Sequence, residues 1–308
     1  MTTQKKFLVL VDGSDRGKRT THYMKTVMPV DRQTRIVLFH VFRQLPEEYR
    51  KLDPVLSNYE VEQEKGIRAH LEELKKILVS SGLPRESVAT KFQYLKKGVA
   101  RDILEEAKNN YTMIFLSRRG MGAVKTIILG STAVELLQSL SSTPIALVGE
   151  TAPVKKILLA VDHSASSMKA AEFVAALLGG LGHEICIFHA ILGLGAIHFD
   201  ISGEYSLEIP ETDLPDASLE ALKSRVAHLV TEIKNKLIAA GVAPEKISEK
   251  VVSGVYSRSE AIVKEAEDGG YGTIVVGRRG LSKLEAFFLG RVGHKVIHTG
   301  KKFTVWVV

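Results

Sequence analysis

Two glycine-rich stretches with the same spacing contain the residues that are best suited to bind an anionic ligand. The first is Ser117–Gly120, followed after nine residues by Gly130–Thr132, and the second is Gly277–Gly280, followed after nine residues by Gly290–Arg291. An apolar run precedes each and an amphipathic run follows, the pattern of a buried strand, a loop and a helix. Such a helix start presents unpaired backbone N–H groups, and glycines leave room for an anion. Glycines that only shape tight turns are the alternative, but the duplication favours two phosphate-binding loops.

An aspartate stands at the end of the first predicted strand of each half. Asp12 follows the apolar run Phe7–Val11, and Asp162 follows Ile157–Val161. Open parallel sheets bind ligands at the carboxyl ends of their strands, so both carboxylates are expected at the ligand edge. A carboxylate there can accept hydrogen bonds from a ribose or an adenine amine, or help to hold Mg²⁺. The alternative is an ordinary turn aspartate.

The second predicted strand of each half ends next to a histidine. His40 is the penultimate residue of the run Arg35–Val41, and His189 has the same place in Ile185–Ala190. Nothing in the sequence supplies His40 with a catalytic partner, so a structural role is favoured. The backbone of the next residue, Val41, could face the edge of an adenine ring.

One histidine pair raises the question of a metal site. His294 and His298 lie four residues apart on a predicted helix, which would place both rings on one face. No third ligand is evident in the sequence, so an ordinary helical pair is favoured over a metal centre.

Strand and helix patterns alternate through the first half and then restart. Apolar runs typical of strands buried on both faces lie at 7–11, 35–41, 113–116 and 144–148, and the alternating pattern of 88–94 predicts an outer strand. The second half repeats this order after a boundary at Gly149–Val154. Strand, helix and strand at this spacing form right-handed crossovers, which make each sheet parallel. We therefore predict two α/β domains, 1–150 and 151–308, each with about five parallel strands between helices.

The composition narrows the class of protein. Of 308 residues, 45% are hydrophobic and 25% are charged, as in soluble globular proteins. No apolar run approaches the roughly 18 residues of a membrane span, and the N-terminus does not resemble a secretory signal. The single cysteine, Cys186, excludes an intramolecular disulfide. We expect a cytoplasmic protein without membrane association.

The net charge of +7 is spread along the chain. It forms no long basic tract and has no interleaved aromatic residues. The charge is therefore compatible with small polyanionic ligands and does not predict specific binding to nucleic acid.

Two further segments bear on partners. Residues 191–215 contain most of the extra length of the second half, and a long loop or short extra element there would suit a lid or a partner contact. The closing strand at 302–308 is unusually apolar for a free edge. We expect it to pair with its counterpart at 145–148 in the same chain or with another subunit, which predicts domain pairing and a homodimer.

These motifs together resemble the universal stress protein family. The resemblance lies in a strand ending at Val11–Ser14, a strand ending at His40-Val41, and a Gly-x-x-Gly, nine residues, Gly-Ser/Thr pattern; two copies are similar to the tandem members. It covers residues 5–308. It implies two flavodoxin-like, or adenine-nucleotide-hydrolase-like, domains with strand order 3-2-1-4-5, paired through their last strands.

The resemblance also implies a ligand. In members that bind ATP, the strand-end aspartate and nearby backbone hold the adenosine, while the glycines and the Ser/Thr hold the phosphates; other members lack the motif and bind no ATP. ATP, with or without Mg²⁺, is therefore the expected cofactor. The residues expected to contact it are Asp12, Gly13, Val41, Ser117, Gly120, Gly130, Ser131 and Thr132 in the first half, and Asp162, Ala190, Gly277, Gly280, Gly290 and Arg291 in the second.

Each copy departs from the family pattern at one position. Ser117 replaces the first glycine of the first copy, and Arg291 takes the Ser/Thr place in the second. Serine costs little room and adds a hydroxyl, whereas arginine is bulky although its fork can bind phosphate. The first half is therefore expected to be the better nucleotide site.

Three functions are open on the sequence. The favoured one is a stress-response regulator whose conformation or partners change with ATP occupancy, because no base for activating water is evident. The second is a slow ATP hydrolase or phosphotransferase that uses Asp12 or His40 with Mg²⁺. The third is a nucleotide-free dimeric scaffold.

Overall fold

The computed structural model describes residues 4–29, 31–118, 129–192, 198–199, 205–206, 216–278 and 290–308. The chain divides into two compact units, Met1–Pro153 and Val154–Val308. Gly120 and Gly280, the inner glycines of the two loops, lie outside the described residues, as does most of the 191–215 segment.

The first unit is built on a parallel sheet. Its described elements are β1 (Lys5–Leu10), α1 (Arg16–Val27), β2 (Thr34–Phe42), α2 (Glu47–Leu52), α3 (Pro54–Val79), β3 (Val88–Tyr94), α4 (Val99–Ala107), β4 (Met113–Ser117), α5 (Ser131–Ser139) and β5 (Ile145–Val148). The strands pair in the order β3-β2-β1-β4-β5, all in parallel. This confirms the predicted order 3-2-1-4-5.

The second unit repeats the plan. Its described elements are β6 (Lys156–Ala160), α6 (Ala165–Leu178), β7 (Glu184–Leu192), β8 (His198–Phe199), β9 (Tyr205–Ser206), α7 (Asp216–Ala239), β10 (Ile247–Val255), α8 (Arg258–Asp268), β11 (Thr273–Val276), α9 (Arg291–Thr299) and β12 (Thr304–Val307). The parallel order is β10-β7-β6-β11-β12. The pair β8 and β9 is antiparallel and is the described part of the segment in which we predicted a loop or an extra element.

The long helix α3 covers one side of the sheet in the first unit. It begins at Pro54, directly after the separate short helix α2. The Asp53 carboxylate accepts a hydrogen bond from the Val55 amide at 2.8 Å, and proline suits the first position of a helix, so this start is well capped. Within the described parts of the chain, no helix is long and apolar enough to cross a membrane.

The central strands are buried on both faces, as their continuous apolar runs predict. In the first unit, Phe7 of β1 and Phe115 of β4 are fully buried, and their ring centroids lie 5.7 Å apart in an edge-on contact. Tyr23 of α1 packs on the same Phe115 ring at 6.4 Å. This packing holds β1 and β4 together and holds α1 against them.

We expect Phe115→Ala to lower the free energy of unfolding of the first unit by about 3–5 kcal/mol, because removing a buried ring leaves a cavity. Chemical denaturation followed by circular dichroism measures this loss. Val134→Ala is the matched control, since Val134 on α5 is 40% exposed; it should change stability by less than about 0.5 kcal/mol. Equal losses in the two variants would contradict the assignment of Phe115 to the core.

Candidate functional site

A cavity of about 570 Å³ opens at the carboxyl ends of β1, β2 and β4 in the first unit. The N-termini of α4 and α5 border it. The predicted contact residues that line it are Asp12, Val41, Ser117, Gly130, Ser131 and Thr132. The structure therefore brings four separate segments of the chain to one site.

The backbone of Val41 faces this cavity because of its place in the strand. The two backbone groups of a strand residue point to the same side, and successive residues alternate between the neighbouring strands. The Phe39 carbonyl accepts from the Val11 amide at 2.9 Å, so Phe39 and Val41 both face β1. Because β1 ends at Leu10, the sheet leaves the N–H and C=O of Val41 unpaired. A donor and an acceptor thus lie side by side at the wall of the cavity.

Asp12 lies at the mouth of the cavity with its side chain 51% exposed. Its Oδ1 accepts from the amide and the hydroxyl of Ser14 at 3.1 and 2.6 Å, and its Oδ2 accepts from Arg16 at 2.8 Å. Partial burial acts to raise the pKa of Asp12, but these hydrogen bonds and the Arg16 charge outweigh it and hold the pKa below its ordinary value. Asp12 is therefore an ionised acceptor, and a ligand that uses Oδ2 must displace Arg16.

His40 is a structural link between strand ends. Its Nδ1 lies 2.7 Å from the carbonyl oxygen of Val11, to which a neutral ring donates. Burial lowers the pKa of His40 even though the carbonyl favours the protonated ring. His189 makes the same contact with the Val161 carbonyl at 2.9 Å. The partner that the sequence could not show is thus a backbone group, in agreement with the structural role favoured above.

The first positions of the two loops differ for a physical reason. The Ser117 hydroxyl donates to the Arg16 carbonyl at 3.1 Å and lies 2.8 Å from the Thr20 hydroxyl, so it joins β4 to α1. At Gly277, a β-carbon would lie 2.7–2.9 Å from atoms of Ser166, including backbone. Glycine is therefore required in the second unit, whereas in the first unit the serine hydroxyl is already engaged within the protein.

The start of α5 offers donors to an anion. Gly130 is the N-cap, and no side chain caps this end of the helix. The hydroxyls of Ser131 and Thr132 hydrogen-bond to no other group in the described part of the chain. The capping role that the sequence leaves open for them is therefore not used. The amides of the first helical turn also have no partner within the helix.

A cluster of basic residues at the cavity was missed by the sequence analysis. Arg43, Lys97 and Arg101, which we call the basic rim, are exposed and line the cavity. Arg118 also lines it but is buried, and desolvation lowers its pKa to about 10. Lys97 and Arg101 flank the start of α4, where the helix dipole disfavours cations. Two cations at a helix start, where the dipole disfavours them, are the feature of the sequence that could have revealed this cluster.

Gly13 lies apart from this cavity. Its φ is +82°, and a β-carbon there would collide with the Ile67 side chain of α3. It lines a separate groove along α3 together with Glu62, Gly66 and His70. Close packing of the helix over the loop therefore accounts for the glycine.

In the second unit, Asp162 is bound by side chains of its own loop. Its Oδ1 accepts from the amide and hydroxyl of Ser164 at 3.0 and 2.5 Å and from the Ser167 hydroxyl at 2.7 Å. The place of Arg16 in the first unit is taken by Ser166. Asp162 is thus held by neutral donors where Asp12 is held partly by an ion pair.

Two more of the predicted contacts of the second unit, Ala190 and Gly290, also have backbone groups engaged by the protein. The Ala190 carbonyl accepts from Arg258 Nε at 3.2 Å. The Gly290 amide donates to the Arg278 carbonyl at 2.7 Å, and α9 begins at Arg291. The carbonyl that corresponds to that of Val41 and the amide that corresponds to that of Gly130 therefore already have partners.

No cluster of three or more potential metal ligands occurs among the residues that the structure describes. His294 and His298 stack on α9 with their ring centroids 4.3 Å apart. Burial lowers the pKa of His294.

Comparison with known sequences gives one family for both halves. The model of the Universal stress protein family matches residues 4–148 and 153–308. The chain is 31% identical over 151 residues to universal stress protein YxiE of Bacillus subtilis, across 46% of this chain and 90% of that protein. It is 24% identical over 139 residues to a universal stress protein of Mycolicibacterium smegmatis, across 44% of this chain and 47% of the relative.

Comparison with solved structures gives the same fold. The crystal structure of a universal stress protein from Archaeoglobus fulgidus aligns with 99% of this chain and 98% of its own, with a TM-score of 0.59 and 19% identity. The similarity at this identity concerns the fold alone.

We expect His40→Asn to make the protein less sensitive to acid. Burial holds the pKa of folded His40 below the ordinary 6.5, so the unfolded state takes up the proton first and stability is lost as the pH falls below about 6.5. Asparagine keeps an N–H donor for the Val11 carbonyl but does not titrate. Urea denaturation at about pH 7.5 and about pH 5.5 measures the difference.

The matched control is His22→Asn, because His22 is an exposed histidine of α1. It should lose as much stability on acidification as the wild type. If His40→Asn also lost as much, His40 would not be responsible for the acid sensitivity.

Proposed function

The chain belongs to the universal stress protein family, and we propose that its first unit binds ATP in the cavity at the carboxyl ends of β1, β2 and β4. One observation carries the proposal: Asp12, Val41 and Gly130–Thr132, predicted from separate segments, line the same cavity. The proposed role is regulatory, in that nucleotide occupancy changes the conformation or the partners of the protein in a stress response.

The nucleoside end of the ligand is assigned to Val41 and Asp12. The unpaired N–H and C=O of Val41 match the adjacent acceptor and donor that an adenine edge presents. The ionised Asp12 carboxylate is suited to accept from a ribose hydroxyl, once Arg16 releases Oδ2. Asp12 is also the predicted carboxylate that would help to hold Mg²⁺ entering with the nucleotide.

The phosphate end is assigned to the start of α5. The first-turn amides and the hydroxyls of Ser131 and Thr132 are donors without partners in the described protein. Arg118 and the basic rim supply positive charge around the same cavity. Cations raise the strength of hydrogen bonds to phosphate, so this arrangement favours a ligand with several negative charges.

We propose that the first unit is the better of the two sites. In the second unit, the Ala190 carbonyl and the Gly290 amide already have partners within the chain. A nucleotide would have to break those contacts before it could bind. In the first unit, the corresponding cost is limited to the Arg16–Asp12 ion pair, which is largely exposed and therefore weak.

Binding without rapid hydrolysis is the favoured form of the proposal. The sequence offers Asp12 and His40 as candidate catalytic groups, but both are held in hydrogen bonds within the protein. The pKa of each lies below its ordinary value, which makes both weak bases. Pairing of the two halves through their closing strands, and a homodimer, are further proposals from the sequence that light scattering of intact and halved chains would test.

We expect Gly130→Val to abolish nucleotide binding while the fold is kept. Gly130 has φ −70° and ψ 152°, which valine adopts readily, but its side chain would fill the approach to the α5 amides. Mass spectrometry of small molecules released from freshly purified protein measures retained nucleotide, and circular dichroism checks the fold.

The matched control is Gly290→Val, because Gly290 has nearly the same backbone angles, φ −57° and ψ 150°. It should retain as much nucleotide as the wild type. Retention by Gly130→Val and loss only in Gly290→Val would reverse the ranking of the sites. Wild-type protein with no nucleotide and no thermal shift on addition of ATP and Mg²⁺ would favour the scaffold instead.

Wild-type protein should release phosphate from ATP no faster than Gly130→Val, because neither Asp12 nor His40 is poised as a base. A continuous phosphate-release assay with Mg²⁺ measures both proteins. Release well above background that disappears in Asp12→Ala would support the hydrolase or phosphotransferase.

A further inference from the structure

The two units can be compared residue by residue at the end of the second strand. His40 and His189 make the same bond to the end of the preceding strand, so the next residues, Val41 and Ala190, correspond. In the first unit, the sheet leaves the backbone of Val41 unpaired. The same reasoning applies to Ala190. The Phe188 carbonyl accepts from Val161 at 2.9 Å, so Phe188 and Ala190 face β6, which ends before Ala190 can pair with it.

The helix that follows the outer strand also corresponds in the two units. Gly98 is the N-cap of α4 and Ser257 is the N-cap of α8, so the first helical residues, Val99 and Arg258, take equivalent places. Val99 lines the cavity of the first unit. Its apolar side chain offers no hydrogen bond to the backbone of Val41.

Arg258 reaches from this helix start to the end of β7. Its Nε donates to the Ala190 carbonyl at 3.2 Å. The Arg258 charge also acts on the neighbouring His189: burial is the main cause that lowers the pKa of His189, and the guanidinium lowers it further. Ala190 and His189 are both about 6% exposed, so the guanidinium lies against a buried strand end.

We infer that Arg258 closes the nucleoside end of the second unit by taking the Ala190 carbonyl, and that Val99 leaves the equivalent end of the first unit open. The inference rests on the proposed function, since it concerns which unit admits an adenine ring. On the nucleoside side, the difference in binding between the two units is assigned to the Arg258 side chain. On the phosphate side, the engaged Gly290 amide and the Arg291 side chain contribute to the same difference.

The energetic cost of an arginine at the start of a helix supports the role assigned to Arg258. An arginine in the first turn of a helix opposes the helix dipole, so its place at the start of α8 is not explained by helix stability. Its hydrogen bond satisfies a buried carbonyl that would otherwise lack a partner. An adenine ring that approached Ala190 would have to displace a charged group from its acceptor, and that exchange disfavours binding.

Arg258→Val gives the second unit the residue of the first and should create a second nucleoside site. Adenosine is the probe, because without phosphates it is insensitive to the changes at Gly290 and Arg291. Equilibrium dialysis of the full chain with radiolabelled adenosine should give one adenosine per wild-type chain and two per Arg258→Val chain. A variant that still bound one would overturn the inference.

Lys264→Val is the matched control for this experiment. Lys264 lies on the same helix with its side chain 78% exposed, and it pairs with Asp268 rather than with β7. The control removes a cation from α8 without touching Ala190, so it should bind one adenosine as the wild type does. Two adenosines per chain in the control would show that charge alone, and not contact with Ala190, closes the site.

The reciprocal change tests the same inference in the first unit. Val99→Arg should weaken ATP binding by about tenfold or more, the loss expected when one hydrogen-bonding position is denied to the ligand. Val99→Leu adds bulk without a donor and should weaken ATP binding less than Val99→Arg does. Wild-type affinity in Val99→Arg, or an equal loss in Val99→Leu, would contradict the role assigned to the guanidinium.

Failure of the inference can be distinguished from failure of the proposed function. If wild-type protein bound neither adenosine nor ATP, the proposed function would be wrong. The placement of Arg258 would then be decided by NMR titration of His189, whose pKa should rise in Arg258→Val and stay unchanged in Lys264→Val. An unchanged His189 pKa in both variants would overturn the placement as well.

Discussion

The backbone of a strand must find partners for its N–H and C=O groups, and this requirement shapes both units. Where β1 and β6 stop, the neighbouring strands β2 and β7 run on, and the next residue of each that faces the ended strand has no strand on that side to pair with its backbone. Val41 and Ala190 occupy these positions. The open pair of groups is a consequence of strand lengths in a parallel sheet, and the side chains around it decide whether a ligand or the protein satisfies it.

The two units share one fold but differ in how these backbone groups find partners. In the first, Val99 leaves the backbone of Val41 accessible to a cavity that also contains an uncapped helix start and four cations. In the second, Arg258 binds the Ala190 carbonyl and the Arg278 carbonyl binds the Gly290 amide. Duplication thus gives an internal comparison, in which the shared sheet supplies the geometry and a few substitutions change the partner. The same fold can therefore leave a backbone group open in one unit and satisfy it within the protein in the other.

Local sequence patterns were enough to predict the strands of the sheet. They predicted few of the contacts that the site residues make. The apolar runs predicted the strands because a buried parallel strand needs continuous hydrophobic residues, and the resemblance to the family implied their order, 3-2-1-4-5. The partners of His40, Ser117 and Arg258 could not be predicted, since each bond joins residues far apart in the chain. Spacing along the sequence does not specify such contacts.

The basic rim has a consequence for the conditions under which the first unit operates. Exposed charges interact over a Debye length of about 8 Å at physiological ionic strength, and this range shrinks as salt is added. Arg43, Lys97 and Arg101 therefore attract a polyanion strongly in dilute solution and weakly in concentrated salt, whereas the α5 amides are much less affected. Occupancy of the cavity by the proposed nucleotide would then depend on the ionic strength of the surroundings as well as on the supply of the ligand.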